Sequence, residues 1–268
     1  QIVVPVTLDT RKASALLAYL ALTGQSHIRD TLDTLLWADY DQSQARANLR
    51  RTLSALAKAV GKDTLETDRE TIGLVPDNGL WVDAIRFQKL LADCLSHGHA
   101  AEVVCQACLP LLTEALALYF MAGCHLPESP NLEEWQFFQA ENLRHQIMTL
   151  LNKLVQGHVG RGELELAVQA ARRWVALDPL DEPAQRWLMQ LYSWTGQRNA
   201  ALRQYQNLVR LLDEELGVPP GPDTEAVHQA IQHDQLAPPQ ISEREPLPGT
   251  PLSDIPPLNL VAMNNLPT

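Results

Sequence analysis

The chain has 268 residues, of which 21 are basic and 32 acidic, so its formal net charge is −11. This length suffices for two compact domains. The acidic balance excludes a protein coated in basic patches, and four cysteines are too few for a disulfide scaffold. The sequence has no apolar run of membrane-spanning length and no signal-peptide pattern. We therefore expect a soluble, cytoplasmic protein without a membrane partner.

The first part of the chain predicts three helices after a short strand within residues 1–9. The predicted helices cover residues 10–22, 28–38 and 41–60. Thr10 suits the N-cap of the first helix. Gly24 suits the position just past the end of the first helix, and Gly61 the same position after the third helix. The second and third helices, joined by a tight turn, form a helix-turn-helix arrangement.

The third helix is where we place the function. Its apolar stripe consists of Ala45, Leu49, Leu53, Leu56 and Val60. The opposite side and its flanks hold Ala47, Asn48, Arg50, Arg51, Ser54 and Lys58. Long donors there suit phosphates or base edges, where arginine matches guanine and asparagine matches adenine. A solvated outer face, which any surface helix presents, is the alternative.

Charge is distributed unevenly along the chain. Residues 1–75 contain nine basic and nine acidic side chains, so the whole acidic excess lies in residues 76–268. Within residues 41–62, five basic residues accompany one acid. An acidic body would repel DNA while the helix face attracts it, which helps orientation. An ordinary acidic helical domain has the same composition.

Residues 65–74 alternate on either side of a polar turn at 68–70, which is a hairpin signal. A hairpin directly after a helix-turn-helix is typical of a wing. Arg69, at its tip, could contact a phosphate or the minor groove. A plain solvated turn fits the same residues equally well.

After a predicted break at residues 76–79, the chain is helical. The predicted helices cover residues 83–95, 99–118, 131–158, 162–177, 182–195, 198–215 and 222–235. Similar residues recur at an offset of 34, the period of tetratricopeptide repeats (TPR), in the pairs Gly162/Gly196, Ala167/Ala201, Val168/Leu202, Val175/Val209 and Leu177/Leu211. Such helices stack into a concave surface that usually binds protein. The aromatic residues of the repeats are expected to pack inside. The proline-rich residues 237–268 predict an extended linker or tail, and we expect a further domain after it.

Five residues that can ligate a metal lie close together in the sequence: Cys94, His97, His99, Cys105 and Cys108. Thiolate and imidazole are zinc ligands. This spacing, however, matches no zinc pattern, the C-x-x-C falls inside a predicted helix, and cysteine is commonly an ordinary buried residue. We predict neither a metal site nor a cofactor.

Several short motifs are specific when they are taken together. They are TRKA at 10–13, LLAYLA at 16–21, LLWAD at 35–39, ARANLR at 45–50, LWVD at 80–83, ARR at 171–173, LDPL at 177–180, GQRNAAL at 196–202 and ELGV at 215–218. Over roughly residues 8–235 the chain thereby resembles the antibiotic-regulatory-protein (SARP) type of bacterial transcriptional activator. The resemblance implies a mainly α protein. It also implies three parts: a winged helix-turn-helix at 1–76 with a truncated N-terminal sheet, a TPR-like bacterial transcriptional activator domain at 77–236, and a linker or tail at 237–268.

The same resemblance implies an activator that binds promoter repeats in double-stranded DNA, recruits RNA polymerase, and can form a homo-oligomer on those repeats. It places the third helix in the major groove, and the predicted DNA contacts are Asn48, Arg50, Arg51, Ser54, Lys58 and Arg69. Arg46 lies nearer the buried edge, where it could pair with Asp39 or Asp41. Arg11 and Lys12 could touch phosphate, and a structural role fits them at least as well.

A second hypothesis is a TPR-like adaptor that binds protein through its repeats and does not bind DNA in this form. Salt-dependent DNA binding separates the two hypotheses. An enzyme is not expected, because the sequence contains no phosphate-binding loop, no nucleophile-elbow motif and no zinc-protease motif.

Overall fold

The structure is a computed structural model that describes Leu8 and residues 10–75, 80–97, 104–105, 107–117 and 129–238. Its helices are α1 (Arg11–Thr23), α2 (Arg29–Leu36), α3 (Gln42–Val60), α4 (Asp83–Leu95), α5 (Cys108–Ala117), α6 (Pro130–Gly160), α7 (Leu164–Leu177), α8 (Glu182–Trp194), α9 (Arg198–Leu216) and α10 (Pro222–Gln232). Its strands are β1 (His27–Ile28), β2 (Leu65–Thr67) and β3 (Thr71–Leu74). The predicted fold class, mainly α with a winged helix-turn-helix before a TPR-like region, is confirmed.

The described residues divide into two compact units. One contains those up to residue 89 together with 129–143, and the other contains those within 90–117 and 144–238. The predicted boundary between residues 76 and 77 falls outside the described residues and stays a prediction. None of the helices in the described ranges is both long enough and apolar enough to cross a membrane.

The first three helices begin and end where local chemistry favours it. Thr10 caps α1 by accepting a hydrogen bond from Ala13 N at 3.2 Å. Gly24 then ends the helix at a φ of 63°, the left-handed conformation that glycine adopts readily. Asp41 caps α3, because its Oδ1 accepts from the backbone N–H groups of Ser43 and Gln44. The predicted limits of these helices are therefore correct to within two residues.

The apolar faces of α1, α2 and α3 form one core. Its buried members are Ala15, Leu16, Leu20, Leu32, Leu36, Trp37, Ala45, Leu49, Leu53, Leu56, Ile72 and Leu132. Leu132 comes from the start of α6, and Trp135 one turn later has its ring centroid 4.8 Å from that of Tyr19. The core of the first unit thus includes a segment that lies far along the chain from α3.

A small antiparallel sheet, in the order β1-β3-β2, completes this unit. Leu65 pairs with Leu74 and Thr67 with Ile72, which confirms the predicted hairpin. The two-residue strand β1 adds a third strand that the sequence pattern does not reveal. Gly73 is required in β3, because a Cβ there would lie 2.4 Å from Ser26 Oγ and 3.2 Å from its Cα.

The 34-residue repeat is realised as two helix pairs, α7 with α8 and α9 with α10. Gly162 and Gly196 occupy equivalent turns and have nearly the same positive φ, 73° and 74°. Ala167 and Ala201, at equivalent positions in α7 and α9, are completely buried. Small residues at these positions allow the paired helices to approach closely.

The aromatic residues of the repeat pack as expected. Trp174 and Tyr192 are buried, and Trp187 has its ring centroid 6.4 Å from that of Trp194. Tyr205 stacks on His228 with the ring centroids 3.7 Å apart. These residues are therefore structural rather than free to hold a ligand.

One predicted helix, over residues 99–118, begins too early. Residues 104 and 105 are not helical, and α5 begins only at Cys108. Pro110 explains the later start, because proline is tolerated in the first turn of a helix and breaks its interior. The short strand expected within residues 1–9, His99, and most of the proline-rich segment lie outside the described residues.

Candidate nucleic-acid interface

Helix α3 presents the polar face that its sequence predicts. Its buried side holds Ala45, Leu49, Leu53 and Leu56, as expected, together with Thr52. On the other side, Arg50, Arg51, Ser54 and Lys58 are exposed, whereas Asn48 is half-buried. These five predicted DNA contacts thus share one helix, and Asn48 is the least accessible of them.

The hairpin turn between β2 and β3 is built on Asp68. Its Oδ1 accepts hydrogen bonds from Glu70 N at 2.7 Å and Thr71 N at 2.6 Å, and its Oδ2 accepts from Thr71 Oγ1 at 2.9 Å. The two backbone N–H donors lower the pKa of Asp68 most, and the Thr71 hydroxyl adds to them. Arg69, the predicted wing contact, lies exposed within this ordered turn.

Arg29 is a functional candidate that the sequence analysis did not select. It is the first residue of α2, and its Nε and Nη2 donate to the backbone carbonyl of Asp68 at 3.0 and 2.8 Å. Its own N–H donates to Glu70 O at 2.8 Å. An arginine at the start of a helix carries no periodic signal, so only the fold reveals that it joins the helix-turn-helix to the wing.

A groove of about 590 Å³ runs between α3 and the hairpin. Its polar lining consists of Arg29, Arg50, Ser54, Lys58, Lys62 and Thr67. Four of these side chains are cationic and two are hydroxyl donors, and no carboxylate is among the described residues that line the groove. Such a lining suits a row of phosphate oxygens. Lys62, just beyond the end of α3, was not among the predicted contacts.

A second concavity, of about 820 Å³, shares Arg29 and Arg50 with the groove and has a lining of mixed charge. Here Arg46 Nη2 is 3.0 Å from Asp30 Oδ1. The prediction that Arg46 pairs with Asp39 or Asp41 is therefore wrong. Asp41 is instead occupied as the cap of α3, and Asp30 reaches Arg46 from the first turn of α2.

Asp33, one turn after Asp30 on α2, lines the same concavity. It is only 4% exposed, and neither of its carboxylate oxygens has a hydrogen-bond partner among the residues the structure describes. Burial, followed by the charge of Asp30, raises the pKa of Asp33, although Arg46, Arg29 and Arg50 oppose the shift. A buried carboxylate thus lies beneath the arginines of this surface.

Lys12 has a structural role. Its Nζ donates to Leu36 O at 2.8 Å and lies 5.2 Å from the ring centroid of Trp37. Ser129 Oγ donates to the same carbonyl at 2.8 Å, so the last carbonyl of α2 is doubly satisfied. Arg11, its neighbour, is exposed at the start of α1.

Comparison with known proteins assigns the chain to a family through its helical part. The model of the bacterial transcriptional activator domain matches residues 82–232. The transcriptional regulatory protein EmbR of Mycobacterium tuberculosis is 26% identical over an alignment of 247 positions that covers 86% of this chain and 60% of EmbR. The regulatory protein AfsR of Streptomyces griseus is 29% identical over an alignment of 228 positions that covers 82% of this chain and 22% of AfsR.

A solved structure has the same fold. It is that of Mycobacterium tuberculosis EmbR in complex with a low affinity phosphopeptide, which superposes with a TM-score of 0.66 at 23% sequence identity. The match covers 87% of this chain and 61% of the EmbR chain. The chain thus spans about three fifths of the length of EmbR.

Proposed function

The chain belongs to the bacterial transcriptional activator domain family, and on that premise we propose that it regulates transcription by binding double-stranded DNA through α3 and the wing. Its relatives EmbR and AfsR carry the names of regulatory proteins. In this proposal α3 enters the major groove, and the β2–β3 hairpin contacts the adjacent backbone or minor groove.

The observation that carries the proposal is the cationic groove between α3 and the hairpin. Arg29, Arg50, Lys58 and Lys62 line it without an acidic neighbour among its described lining residues. The chain as a whole has a net charge of −11, so composition does not account for this concentration of positive charge. A DNA backbone bound there would release counterions from its phosphates, and its affinity would fall as salt rises.

The five predicted contacts on α3 fall into two groups by position. Arg50, Ser54 and Lys58 line the groove, where they contact phosphates in our proposal. Arg51 and Asn48 lie outside it and are the candidates for contact with base edges, because arginine and asparagine can each form a bidentate pair with a purine. Arg69 extends the contacts from the wing turn.

The helical half supplies the regulatory contacts in this proposal. The paired helices α7–α8 and α9–α10 form a TPR-like unit, and such units commonly bind protein. We propose that this half recruits RNA polymerase and makes the protein an activator, and that copies of the chain assemble on repeated promoter sites. The phosphopeptide belongs to the EmbR structure, and for this chain it supports no more than a protein partner.

Fluorescence anisotropy with a labelled duplex, titrated with salt, tests DNA binding. The proposal expects log affinity to fall linearly with log salt, and Lys58→Ala to reduce the slope by about 0.9 for the phosphate contact removed. Arg203→Ala provides a matched loss of charge from an exposed position on α9 in the second unit. It is expected to leave affinity and slope unchanged.

The outcomes separate the two hypotheses. Equal affinity and slope for Lys58→Ala, Arg203→Ala and the unaltered chain would overturn the placement of DNA on α3. The absence of binding even at low salt would favour the adaptor, in which the repeats bind protein and the winged helix does not bind DNA.

A further inference from the structure

Three potential metal ligands converge in the second unit. His97 follows the end of α4, Cys105 precedes α5, and Cys108 is the first residue of α5. His97 Nδ1 lies 3.2 Å from Cys108 Sγ and 3.4 Å from Cys105 Sγ, and the two sulfur atoms are 3.5 Å apart. The three donor atoms thus form a nearly equilateral triangle.

The size of this triangle matches one face of a zinc tetrahedron. With Zn–S bonds of about 2.3 Å and a Zn–N bond of about 2.0–2.1 Å, tetrahedral geometry separates the donor atoms by about 3.5–3.8 Å. The observed separations are shorter than these by no more than about 0.4 Å. A shift of a few tenths of an ångström in each side chain would therefore admit the ion.

The segment that carries both cysteines is held against α6. Gly157 permits this contact, because a Cβ there would lie 2.9 Å from Leu109 Cδ2 and 3.1 Å from Val104 Cγ1. Cys108 is buried and is the first residue of α5. This packing holds the chain next to both sulfur ligands in a fixed position.

We propose that His97 Nδ1 and the thiolates of Cys105 and Cys108 bind one Zn²⁺ ion, with a water molecule as the fourth ligand. The mixture of one imidazole and two thiolates is the donor set that borderline-soft Zn²⁺ prefers. The ion joins the end of α4 to the start of α5 and so stabilises this part of the second unit. Buried Cys94 lies beside the site, with its Sγ 3.9 Å from Cys108 O.

The spacing of these residues conceals the site at the level of sequence. A continuous helix over 99–118 would place Cys105 and Cys108 on one helix face and His97 outside it. In the structure residues 104 and 105 are not helical and α5 begins at Cys108, and the side chains of His97, Cys105 and Cys108 meet at one point.

The test is a titration of the full chain, purified with chelator and kept reduced, first with Co²⁺ as a spectroscopic probe and then with Zn²⁺ in competition. The proposal expects one ion per chain, thiolate-to-cobalt charge-transfer absorption, and displacement of Co²⁺ by Zn²⁺. Loss of a ligand should weaken Zn²⁺ binding by about 100-fold or more in Cys105→Ser and His97→Ala, exceeding the effect of losing an outer-shell partner.

Matched controls keep the test decisive. His145→Ala removes an exposed histidine from α6 and should bind Zn²⁺ as the unaltered chain does. Circular dichroism of each variant without metal establishes that it is folded, and Zn²⁺ should raise the melting temperature of the unaltered chain but not of Cys105→Ser. Equal Zn²⁺ affinity for the unaltered chain, His97→Ala and Cys105→Ser would overturn the proposal. So would a reduced chain that binds no Zn²⁺ and whose Cys105 and Cys108 merely form a disulfide on oxidation.

Discussion

Arg29, the first residue of α2, donates two hydrogen bonds to the backbone carbonyl of Asp68 at the tip of the wing, at 3.0 and 2.8 Å. These bonds join residues 39 positions apart in the sequence. They connect the helix-turn-helix directly to the hairpin, so that the wing and α3 are held in a fixed relation on either side of the cationic groove. Arg29 therefore adds a positive charge to the groove and also helps to fix the shape of the groove.

Replacing Arg29 separates these two contributions. Arg29→Lys keeps the charge but loses the two-pronged donor, whereas Arg29→Ala loses both. A hydrogen bond of this kind contributes about 0.5–1.5 kcal/mol, so we expect Arg29→Lys to bind DNA up to about tenfold more weakly with a nearly unchanged salt slope. Arg29→Ala should also reduce the slope. Anisotropy over a range of salt measures both quantities, and full affinity in Arg29→Lys would show that the link to Asp68 does not position the wing.

Asp33 makes stability depend on pH. Because burial raises its pKa in the folded chain, ionisation opposes folding. The penalty is absent below the unfolded pKa of about 3.9, grows as pH rises towards the raised folded pKa, and persists at neutral pH. Asp33→Asn should therefore increase the free energy of unfolding at neutral pH, and the gain should disappear as pH falls below about 4.

Urea denaturation at several pH values measures this gain, with exposed Asp63→Asn as the control for loss of an acid. A loss of stability in Asp33→Asn at neutral pH would mean that attraction to Arg46, Arg29 and Arg50 outweighs the burial of the carboxylate. The same variant removes a negative charge from beneath the arginines, so tighter DNA binding is expected as well.

The sequence predicts most of the helical framework because its signals are local. Gly24 and Gly61 mark helix ends, and Asp41 marks the start of α3, through preferences that act within one turn. The repeat was detectable because equivalent turns impose the same left-handed φ on Gly162 and Gly196. The family resemblance, which depends on nine such local motifs, is confirmed by the match to the activator domain.

What the sequence did not reveal depends on distant contacts. The two-residue strand β1 is too short to show a pattern, and Leu132 joins the core of the first unit from a helix predicted to belong elsewhere. Within the candidate site, Arg29 and Lys62 come from outside the face of α3. The pairing of Arg46 with Asp30 likewise depends on how α2 crosses α3, which periodicity within either helix cannot supply.

Glu182 caps α10, which begins 40 residues later in the chain. Both of its carboxylate oxygens accept from Gly221 N, at 3.1 and 2.9 Å, and one also accepts from the Thr224 hydroxyl at the start of α10. Gly221, the N-cap residue of α10, has no side chain with which to cap the helix itself. We expect Glu182→Ala to lower the free energy of unfolding by about 1.5–3 kcal/mol, the range for hydrogen bonds to a charged group.

Equilibrium denaturation checks this value against Glu214→Ala. Glu214 pairs with Arg210 one turn away on α9, and both side chains are more than half exposed. Such a surface pair contributes about 0.3–0.5 kcal/mol. Similar losses in the two variants would mean that Glu182 acts as an ordinary surface acid and that α10 does not need it.

The repeat turns give a test of backbone conformation that is free of side-chain contacts. Gly196 has a φ of 74°, and a Cβ added there would meet nothing within 4 Å. Gly160, the last residue of α6, also has open space around an added Cβ but does not have a positive φ. Gly196→Ala should therefore destabilise the chain by about 1–2 kcal/mol, the penalty of the left-handed conformation.

Gly160→Ala should instead stabilise the chain by up to about 0.5–1 kcal/mol, because alanine loses less conformational freedom in a helix than glycine does. The two variants add the same methyl group, so changes of opposite sign in the free energy of unfolding, measured by heat or urea, isolate the effect of φ. A loss of stability in both variants would indicate that crowding, rather than backbone conformation, governs these two positions. A gain in both would mean that the turn before α9 readily adopts another conformation.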